Sequence, residues 1–399
     1  MFDRKQLIEA ISHQETPVYY YDLSLLRQTL QAAKQAADGR GFHVHYALKA
    51  NFNDRILGLI RDAGIGADCV SGNEVKKAVE IGFPSNDIVF AGVGKSDKEI
   101  KVALNHDIFA FNVESIAELR VINTLAAAQG KKARVALRIN PNVDAQTHQY
   151  ITTGLDENKF GIAHWQLGEA VETLGHSKHL ELIGIHFHIG SQITDLNVFK
   201  SLCVKVNELN NWFDERGFRL RVLNVGGGLG VDYHQPDLHP IPDFQSYFSV
   251  FADFLERKPG QEVHFELGRA LVSQCGSLIS RVLYVKNGLK KNFLILDAGM
   301  TELMRPALYQ AYHQIEKLDA NEGSQEDAEQ LRYDVVGPIC ESSDCFGKEV
   351  SLPKCERGDL IAIRTAGAYG EVMASRYNLR DEIRYLYGTL VDNSHEISD

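Results

Sequence analysis

The sequence predicts an α/β chain of two domains, a closed (β/α)8 barrel of the TIM type followed by a mostly antiparallel β-sandwich or β-barrel domain. Within residues 23–268, eight strand patterns alternate with eight helix patterns. This alternation indicates a parallel sheet, and eight units favour a closed barrel over an open doubly wound sheet, which stays the alternative. Beyond residue 270 or so, strand patterns follow one another without long helices, as is typical of antiparallel sheets. A chain of 399 residues is long enough for both domains.

The barrel region follows a short helix pattern at 4–12 and an apolar strand pattern at 17–22. Each barrel strand is a short apolar run, and each helix pattern repeats apolar residues every three to four positions. The predicted strands are, in order, HVHYALK, GADCV, IVFAG, IFAFNV, ARVALRI, LIGIHFH, RVLNVG and EVHFEL. The predicted helices cover 24–37, 53–63, 73–81, 97–104, 114–129, 166–177, 195–215 and 243–257.

The β domain is predicted from 269–399 together with 1–22, which leaves 23–268 for the barrel. Its predicted strands are LVSQC, SLISRVLYVK, KNFLILDAG, RYDVVG, DLIAIRT and EIRYLYGTLV. The strand at 17–22 is expected to join this domain, because a closed barrel offers no edge on which it could pair. The acidic stretch 318–330 has few apolar residues and is predicted to be an exposed loop.

Composition restricts the class of protein. With 44% hydrophobic and 24% charged residues the chain is typical of globular proteins, and its net charge of -11 argues against nucleic acid as a partner. It has no apolar run long enough to span a membrane and no secretory signal pattern, so we expect a cytoplasmic protein without a membrane partner. There its six cysteines should be thiols, and their spacings give no zinc half-sites, so no metal site is predicted.

Lys49 follows the first barrel strand, where the hydrophobic run stops. From residue type alone it would be a surface amine just past a strand end. The alternative is a partly desolvated amine at the barrel mouth that attacks a carbonyl to form a Schiff base. Barrel enzymes carry their reactive groups at the carboxyl ends of the strands. Polar or glycine residues follow the strands at this rim, namely Ser71, Arg138, His186, His188, Ser191, Gly226, Gly227, Gly228, Glu266 and Arg269.

The glycine run at 226–230 follows the seventh strand and offers backbone N–H groups to which a phosphate can approach closely. A glycine turn required only for tight backbone geometry is the alternative. Barrels often bind phosphate in the loops after strands seven and eight, and Ser191 and Arg269 can add a hydroxyl and a guanidinium. A Schiff-base lysine and a phosphate site in one barrel together suggest pyridoxal 5'-phosphate (PLP).

Seven motifs carry a resemblance to a known family, and they span most of the chain. They are YALKAN (46–51), HFHIGSQ (186–192), GGGLG (226–230), ELGR (266–269), MRPALY (304–309), GPICESSD (337–344) and AGAYG (366–370). The chain resembles the barrel-type, fold type III, PLP-dependent decarboxylases of basic amino acids, and most closely those that act on diaminopimelate. The resemblance implies a lyase that converts meso-2,6-diaminopimelate to L-lysine and CO2, the last step of lysine biosynthesis.

The resemblance also implies roles for residues of the barrel. Lys49 resembles the lysine that holds the cofactor aldehyde, His188 the imidazole that stacks on its ring, and Glu266 the partner of its pyridine nitrogen. A carboxylate there favours decarboxylation, because it keeps the ring protonated as a strong electron acceptor. A buried core histidine is the alternative for His188. The cofactor contacts implied are Lys49, Asp68, His188, Ser191, Gly226, Gly227, Gly228, Glu266, Gly268, Arg269 and Tyr369.

In the β domain, Cys340 resembles the acid that returns a proton to the substrate α-carbon, whereas from residue type alone it would be an apolar filler. The family assembles this loop across a homodimer interface, so Cys340 and Glu341 would serve the partner chain. The implied substrate contacts are Arg269, Arg305, Tyr309, Glu341 and Tyr369. From residue type alone, Arg305 would be a solvated surface arginine.

One residue departs from the family pattern, since ELGR carries Leu267 where EPGR is usual, and the lost proline leaves the turn less restrained. Three other functions stay open at this stage. One is an ornithine or arginine decarboxylase on the same fold. Another is a non-catalytic binding protein that acts through its dimer surface, although such a protein would be expected to lack the lysine or the cysteine. The last is a cofactor-free Schiff-base aldolase, which would not need the glycine run and Glu266.

Overall fold

A computed structural model describes residues 4–11, 14–143, 159–318 and 329–388. Two compact units divide the chain. The β unit comprises Met1–Thr29, Val231–Pro242 and Val272–Asp399. The barrel unit comprises Leu30–Gly230 and Asp243–Leu271. The short segment from Val231 lies between barrel elements in the sequence, yet it belongs to the β unit.

After helix α1 (Arg4–Ile11) and strand β1 (Val18–Asp22), the chain enters the barrel. Eight parallel strands close it in the order of the sequence, and the last pairs with the first. They are β2 (Phe42–Ala47), β3 (Gly66–Cys69), β4 (Ile88–Phe90), β5 (Ala110–Val113), β6 (Ala133–Arg138), β7 (Leu180–His186), β8 (Val222–Asn224) and β9 (Glu262–Leu267). The predicted closed barrel is therefore confirmed, and the open sheet is wrong.

One helix precedes each of these strands, and the eight helices match the predicted ones to within a few residues at each end. They are α2 (Leu23–Asp38), α3 (Asp54–Asp62), α4 (Gly72–Ile81), α5 (Asp97–Asn105), α6 (Ile116–Ala128), α7 (Leu167–His176), α8 (Asn197–Asp214) and α9 (Phe244–Phe254). Ser71, Ser96 and Ser115 cap three of them, each accepting the backbone N–H of the glutamate three positions on. Ser71, which the sequence placed among the rim residues, thus caps α4.

The β unit contains one sheet of eight strands, in which five of the seven strand pairs among the described residues are antiparallel. Two short helices, α10 (Arg269–Val272) and α11 (Arg305–Tyr309), complete the helix set of the described ranges. The strands that join β1 are β10 (Gly276–Asn287), β11 (Asn292–Leu296), β12 (Ile315–Leu318), β13 (Gln330–Val336), β14 (Cys345–Pro353), β15 (Leu360–Ile363) and β16 (Arg384–Gly388). The predicted, mostly antiparallel character is confirmed.

Strand β1 pairs with β10 on one side and with β16 on the other. Val18, Tyr19 and Tyr21 are almost completely buried there. The prediction that the N-terminal strand joins the β domain is therefore confirmed.

Three details of this unit differ from the sequence prediction. LVSQC was predicted as a strand, but its first residues end α10, and β10 begins only at Gly276. Strands β12 and β14 were not predicted. Residues 319–328 of the predicted acidic loop lie outside the described residues, and Leu318 before them is buried at the end of β12. Within the described ranges, no helix has the length and apolar character needed to cross a membrane.

Candidate active site

Lys49 lies in a single 3-10 turn, Leu48–Ala50, directly after β2. Its Nζ is 3.5 Å from Oδ2 of Asp68 on the neighbouring strand β3. The lysine side chain is 39% exposed and that of Asp68 only 1%, so the amine lies at the barrel mouth against a buried carboxyl. Burial, and then the charge of Glu266, raise the pKa of Asp68, while Lys49 acts in the opposite direction.

Glu266 lies in β9 and is buried inside the barrel. Its Oε1 accepts hydrogen bonds from the side-chain amides of Asn112 and Asn224, both at 2.8 Å. Its Oε2 accepts one from Nε2 of His186, also at 2.8 Å. Burial alone would raise the pKa of Glu266, but His186, and after it Lys49 and His188, hold that pKa well below its ordinary value of 4.5. The structure therefore maintains a buried, ionised carboxylate near the lysine.

Two histidines at the carboxyl end of β7, separated by one residue, have different hydrogen-bond partners. His186 ends β7 and donates to Glu266, while its Nδ1 is buried and has no hydrogen-bond partner among the described residues. His188 lies two positions on, and its Nδ1 accepts the backbone N–H of Gly227 at 3.4 Å. Burial lowers the pKa of His188 well below 6.5, and Lys49 and Arg138 lower it further, so this imidazole is neutral near pH 7.

The glycine turn after β8 packs tightly against its neighbours. A Cβ on Gly226 would lie 2.1 Å from the carbonyl oxygen of Phe187, and one on Gly227 would lie 1.9 Å from that of Glu266. Gly226 and Gly228 also have positive φ angles of 70° and 115°. The N–H of Gly226 donates to Asn224 Oδ1 at 2.9 Å. For Gly226 and Gly227 the alternative of tight geometry thus has direct support, and their contact with a phosphate stays a prediction.

Arg269 and Ser191 were predicted to share one anion, and the structure brings them together. The guanidinium is buried, and its Nε and Nη2 lie 3.2 and 3.0 Å from the Ser191 hydroxyl. Gly268 precedes Arg269, and its carbonyl accepts from Leu271 in the turn that begins α10. Leu267, which replaces the family's proline, ends β9 with its side chain 1% exposed and pairs in register with Tyr46. The substitution is thus accommodated as a buried apolar contact.

The remaining predicted residues lie in the β unit. Cys340 is exposed, and its backbone N–H donates to Asn378 Oδ1 at 3.3 Å. Glu341 is also exposed and accepts a 2.7 Å hydrogen bond from the Tyr377 hydroxyl. Tyr369 is held in a left-handed backbone conformation, with φ of 57°. The expectation from residue type that Cys340 fills an apolar core is therefore wrong.

Arg305, at the start of α11, is buried and makes specific polar contacts. Its Nη1 donates to the Tyr233 hydroxyl and to Nε2 of His313, both at 3.0 Å. His313 can accept because its Nδ1 donates to the carbonyl of Arg364. Arg305 is therefore not the solvated surface arginine that its residue type alone suggested. Tyr309, at the end of the same helix, is partly exposed.

Sequence reasoning missed the residues that hold Glu266. Asn112 and Asn224 each occupy a position near the carboxyl end of an otherwise apolar strand, and His186 was noted at a strand end without a role. An amide inside a buried strand needs a hydrogen-bond partner, so these positions carried a signal. The partner could not be identified, because it lies on another strand of the barrel.

The residues gathered at the barrel mouth fit pyridoxal 5'-phosphate. Lys49 offers an amine to its aldehyde and Glu266 an ionised carboxylate to its ring nitrogen. Arg269 and Ser191 offer donors to its phosphate. The buried Oδ1 of Asp68 and Nδ1 of His186 have no partner among the described residues. The fold and these groups together define a class, a barrel enzyme built to hold an aldehyde cofactor through a lysine.

Comparison with known proteins agrees with this class. The family model for "Pyridoxal-dependent decarboxylase, pyridoxal binding domain" matches residues 23–273. The diaminopimelate decarboxylase of Bacteroides thetaiotaomicron is 58% identical over 368 residues, which cover 92% of this chain and 94% of that protein. The crystal structure of diaminopimelate decarboxylase from Helicobacter pylori complexed with L-lysine is 42% identical, with a TM-score of 0.89, and covers 96% of this chain and 94% of that one.

The chain therefore belongs to the pyridoxal-dependent decarboxylases, and among them to the diaminopimelate decarboxylase family.

Proposed function

We propose that this chain binds PLP and decarboxylates meso-2,6-diaminopimelate to L-lysine and CO2. The observation that carries the proposal is the meeting of Lys49, His188 and the ionised Glu266 at one barrel mouth, in a chain 58% identical to a diaminopimelate decarboxylase. A cytoplasmic location stays a prediction of the sequence.

The barrel residues divide the work of binding. PLP, when bound, supplies an aldehyde for attachment of an amino acid and a ring that accepts the electron pair left when CO2 departs. Lys49 holds that aldehyde, and Asp68 lies beside the amine to orient it. Glu266 keeps a proton on the ring nitrogen, since its three hydrogen bonds hold it ionised. His188 offers a flat, neutral ring for stacking.

Groups around α10 and the glycine turn bind the phosphate of the cofactor. Arg269 and Ser191 bind the phosphate, together with backbone groups of Gly226, Gly227, Gly228 and Gly268. Tyr369 adds its hydroxyl. Arg269 is the strongest of these contacts, because a guanidinium forms charge-assisted and directional hydrogen bonds with phosphate.

The β unit supplies the proton and the substrate selectivity. The partner subunit's Cys340 returns a proton to the α-carbon, and its Glu341 binds the distal ammonium. The exposure of both side chains in the single chain supports a homodimeric site. Arg305 and Tyr309 bind the distal carboxylate, and the fixed orientation of Arg305 on Tyr233 and His313 suits a forked contact.

The experiment has two stages. Purified protein is mixed with PLP, and its visible spectrum is compared with that of Lys49→Ala. A cofactor band that depends on Lys49 is expected, and a spectrum of free PLP in both would contradict the cofactor assignment. CO2 release is then measured with diaminopimelate, ornithine and arginine. We expect diaminopimelate to have the highest kcat/KM, and faster release from ornithine would contradict the substrate assignment alone.

A further inference from the structure

Three side chains gather at the end of the barrel opposite Lys49. His43 lies near the start of β2, and Glu262 and His264 lie at the start of β9. His43 and His264 are direct neighbours across these strands, and their rings stack with centroids 4.7 Å apart. The possible ligand atoms of the three residues all lie within 4.8 Å of one another. None of the three takes part in the proposed decarboxylation.

A chain of hydrogen bonds determines which nitrogen of His264 carries the hydrogen. Nδ1 of His45 lies 3.0 Å from the carbonyl oxygen of Asp87, which can only accept, so this nitrogen is protonated. His45 is 3% exposed and its ring nitrogens contact a carbonyl and an imidazole, so burial keeps it neutral and its Nε2 accepts. The donor to that nitrogen, at 2.8 Å, is Nδ1 of His264. Nε2 of a neutral His264 is therefore left with a lone pair.

This lone pair faces an oxygen that can only accept. Nε2 of His264 lies 3.3 Å from Oε2 of Glu262, which is longer than an ordinary charge-assisted hydrogen bond. Without a hydrogen between them the two atoms repel each other, so either a proton on His264 or a metal ion must lie between them. A zinc ion with ligands at about 2.0–2.1 Å in tetrahedral arrangement places neighbouring ligand atoms about 3.3 Å apart. The observed separation matches that of two ligands of one ion.

We propose that His264, Glu262 and His43 bind one zinc-class divalent ion at this end of the barrel. Two imidazole nitrogens and one carboxylate oxygen are a ligand set that zinc favours, whereas magnesium and calcium favour oxygen ligands. His43 is exposed and turns from its stacked position to complete the set, with water as the fourth ligand. His45 orients His264 from behind, as outer partners of metal-bound histidines do.

The ion would stabilise the seam at which the barrel closes. β2 is the first strand of the barrel and β9 the last, and the ligands come from these two alone. Because a ligand that binds only the folded state raises stability by mass action, zinc should raise the temperature of unfolding.

The test uses PLP-loaded enzyme carrying Cys340→Ala, which removes the exposed thiol as a competing zinc ligand. After treatment with chelator and dialysis, zinc is added, and bound metal and the unfolding temperature are measured. We expect about one tightly held zinc per chain and an unfolding temperature higher by several degrees, while magnesium has no effect. His43→Ala and Glu262→Gln should each lose both effects. His176→Ala, an exposed histidine at the end of α7, is the matched control and should keep them.

The alternative occupant of the contact is a proton on His264. If zinc does not bind, or binds equally well to His43→Ala, the contact is a hydrogen bond from a charged imidazole to Glu262 and the proposal is wrong. Anomalous scattering from zinc-soaked crystals adds a direct readout, since density between Glu262 and His264 is expected. Density only at other histidines or thiols would also overturn the proposal.

Discussion

Replacing His186 by leucine should remove much of the stability that ionised Glu266 gives to the fold near neutral pH. In the native barrel His186 is the strongest of the influences that keep the pKa of this carboxyl below 4.5. Such a group stabilises the fold above its unfolded pKa, and that stability is lost as the pH falls through the folded pKa. In His186→Leu this influence is lost while burial remains, so the pKa of Glu266 rises toward its ordinary value of 4.5.

The size of the change follows from the loss of a partner by a buried charge. Leaving a buried charge without one of its partners costs about 3–5 kcal/mol, or about 2–4 pKa units at 1.36 kcal/mol each. The variant should therefore be less stable than the wild type at neutral pH, and this difference should shrink as the pH falls below about 5, because the variant's carboxyl takes up its proton at a higher pH. The wild type should lose stability only as the pH falls below about 5.

The assay is the unfolding temperature of both proteins at half-unit steps from pH 3 to 8. His186→Asn, which keeps a hydrogen-bond donor, should fall between them. His176→Leu, on the exposed end of α7, should match the wild type. A difference between His186→Leu and wild type that stays constant with pH would show that His186 acts through packing alone, and would refute the reasoning.

Three further predictions concern other parts of the chain. Cys340→Ala should keep PLP binding but lower kcat by about 10²–10⁴-fold, the range of general acid catalysis; Cys345→Ala should be near wild type, and equal rates for the two would place the proton donor elsewhere. Gly227→Ala should lower the yield of folded protein, because its Cβ would lie 1.9 Å from the carbonyl oxygen of Glu266. The control Gly168→Ala, in open space on a helix, should be neutral or stabilising by up to about 1 kcal/mol. Equal thermal stability of the two variants would contradict this prediction. Burial raises the pKa of Glu371 from 4.5 to about 7, so the fold loses stability as the pH rises through this interval. Glu371→Gln should therefore raise the unfolding temperature more at pH 8 than at pH 5. An effect that does not depend on pH would contradict the burial argument.

The barrel could be predicted because its signals are local. Eight apolar runs alternate with amphipathic helices, and the strand ends carry the polar residues, so both the closure and the rim followed from the order of the sequence. The β unit was harder. β14 contains Gly347 and a left-handed Glu349, which interrupt the alternation of a strand, and LVSQC is too short an apolar run to distinguish a strand from a helix.

The candidate site was predictable in its residue types but not in its contacts. Lys49 and Glu266 stood out as charges next to apolar runs. The hydrogen bonds of Asn112 and Asn224 to Glu266 join residues 154 and 42 positions apart, and nothing local specifies such a pairing. Arg305 shows the same limit, because its burial depends on Tyr233 and His313 and not on its immediate neighbours.

The place of β1 in its sheet has a consequence for synthesis on the ribosome. This strand is synthesised well before its two neighbours in the sheet, β10 and β16, which begin at Gly276 and Arg384. The barrel can therefore form before β1 (VYYYD) has a partner strand. The three tyrosines of β1 are buried in the finished sheet. Because an unpaired apolar strand invites pairing with other chains, we expect nascent chains that stall before residue 384 to be more prone to aggregation than complete ones.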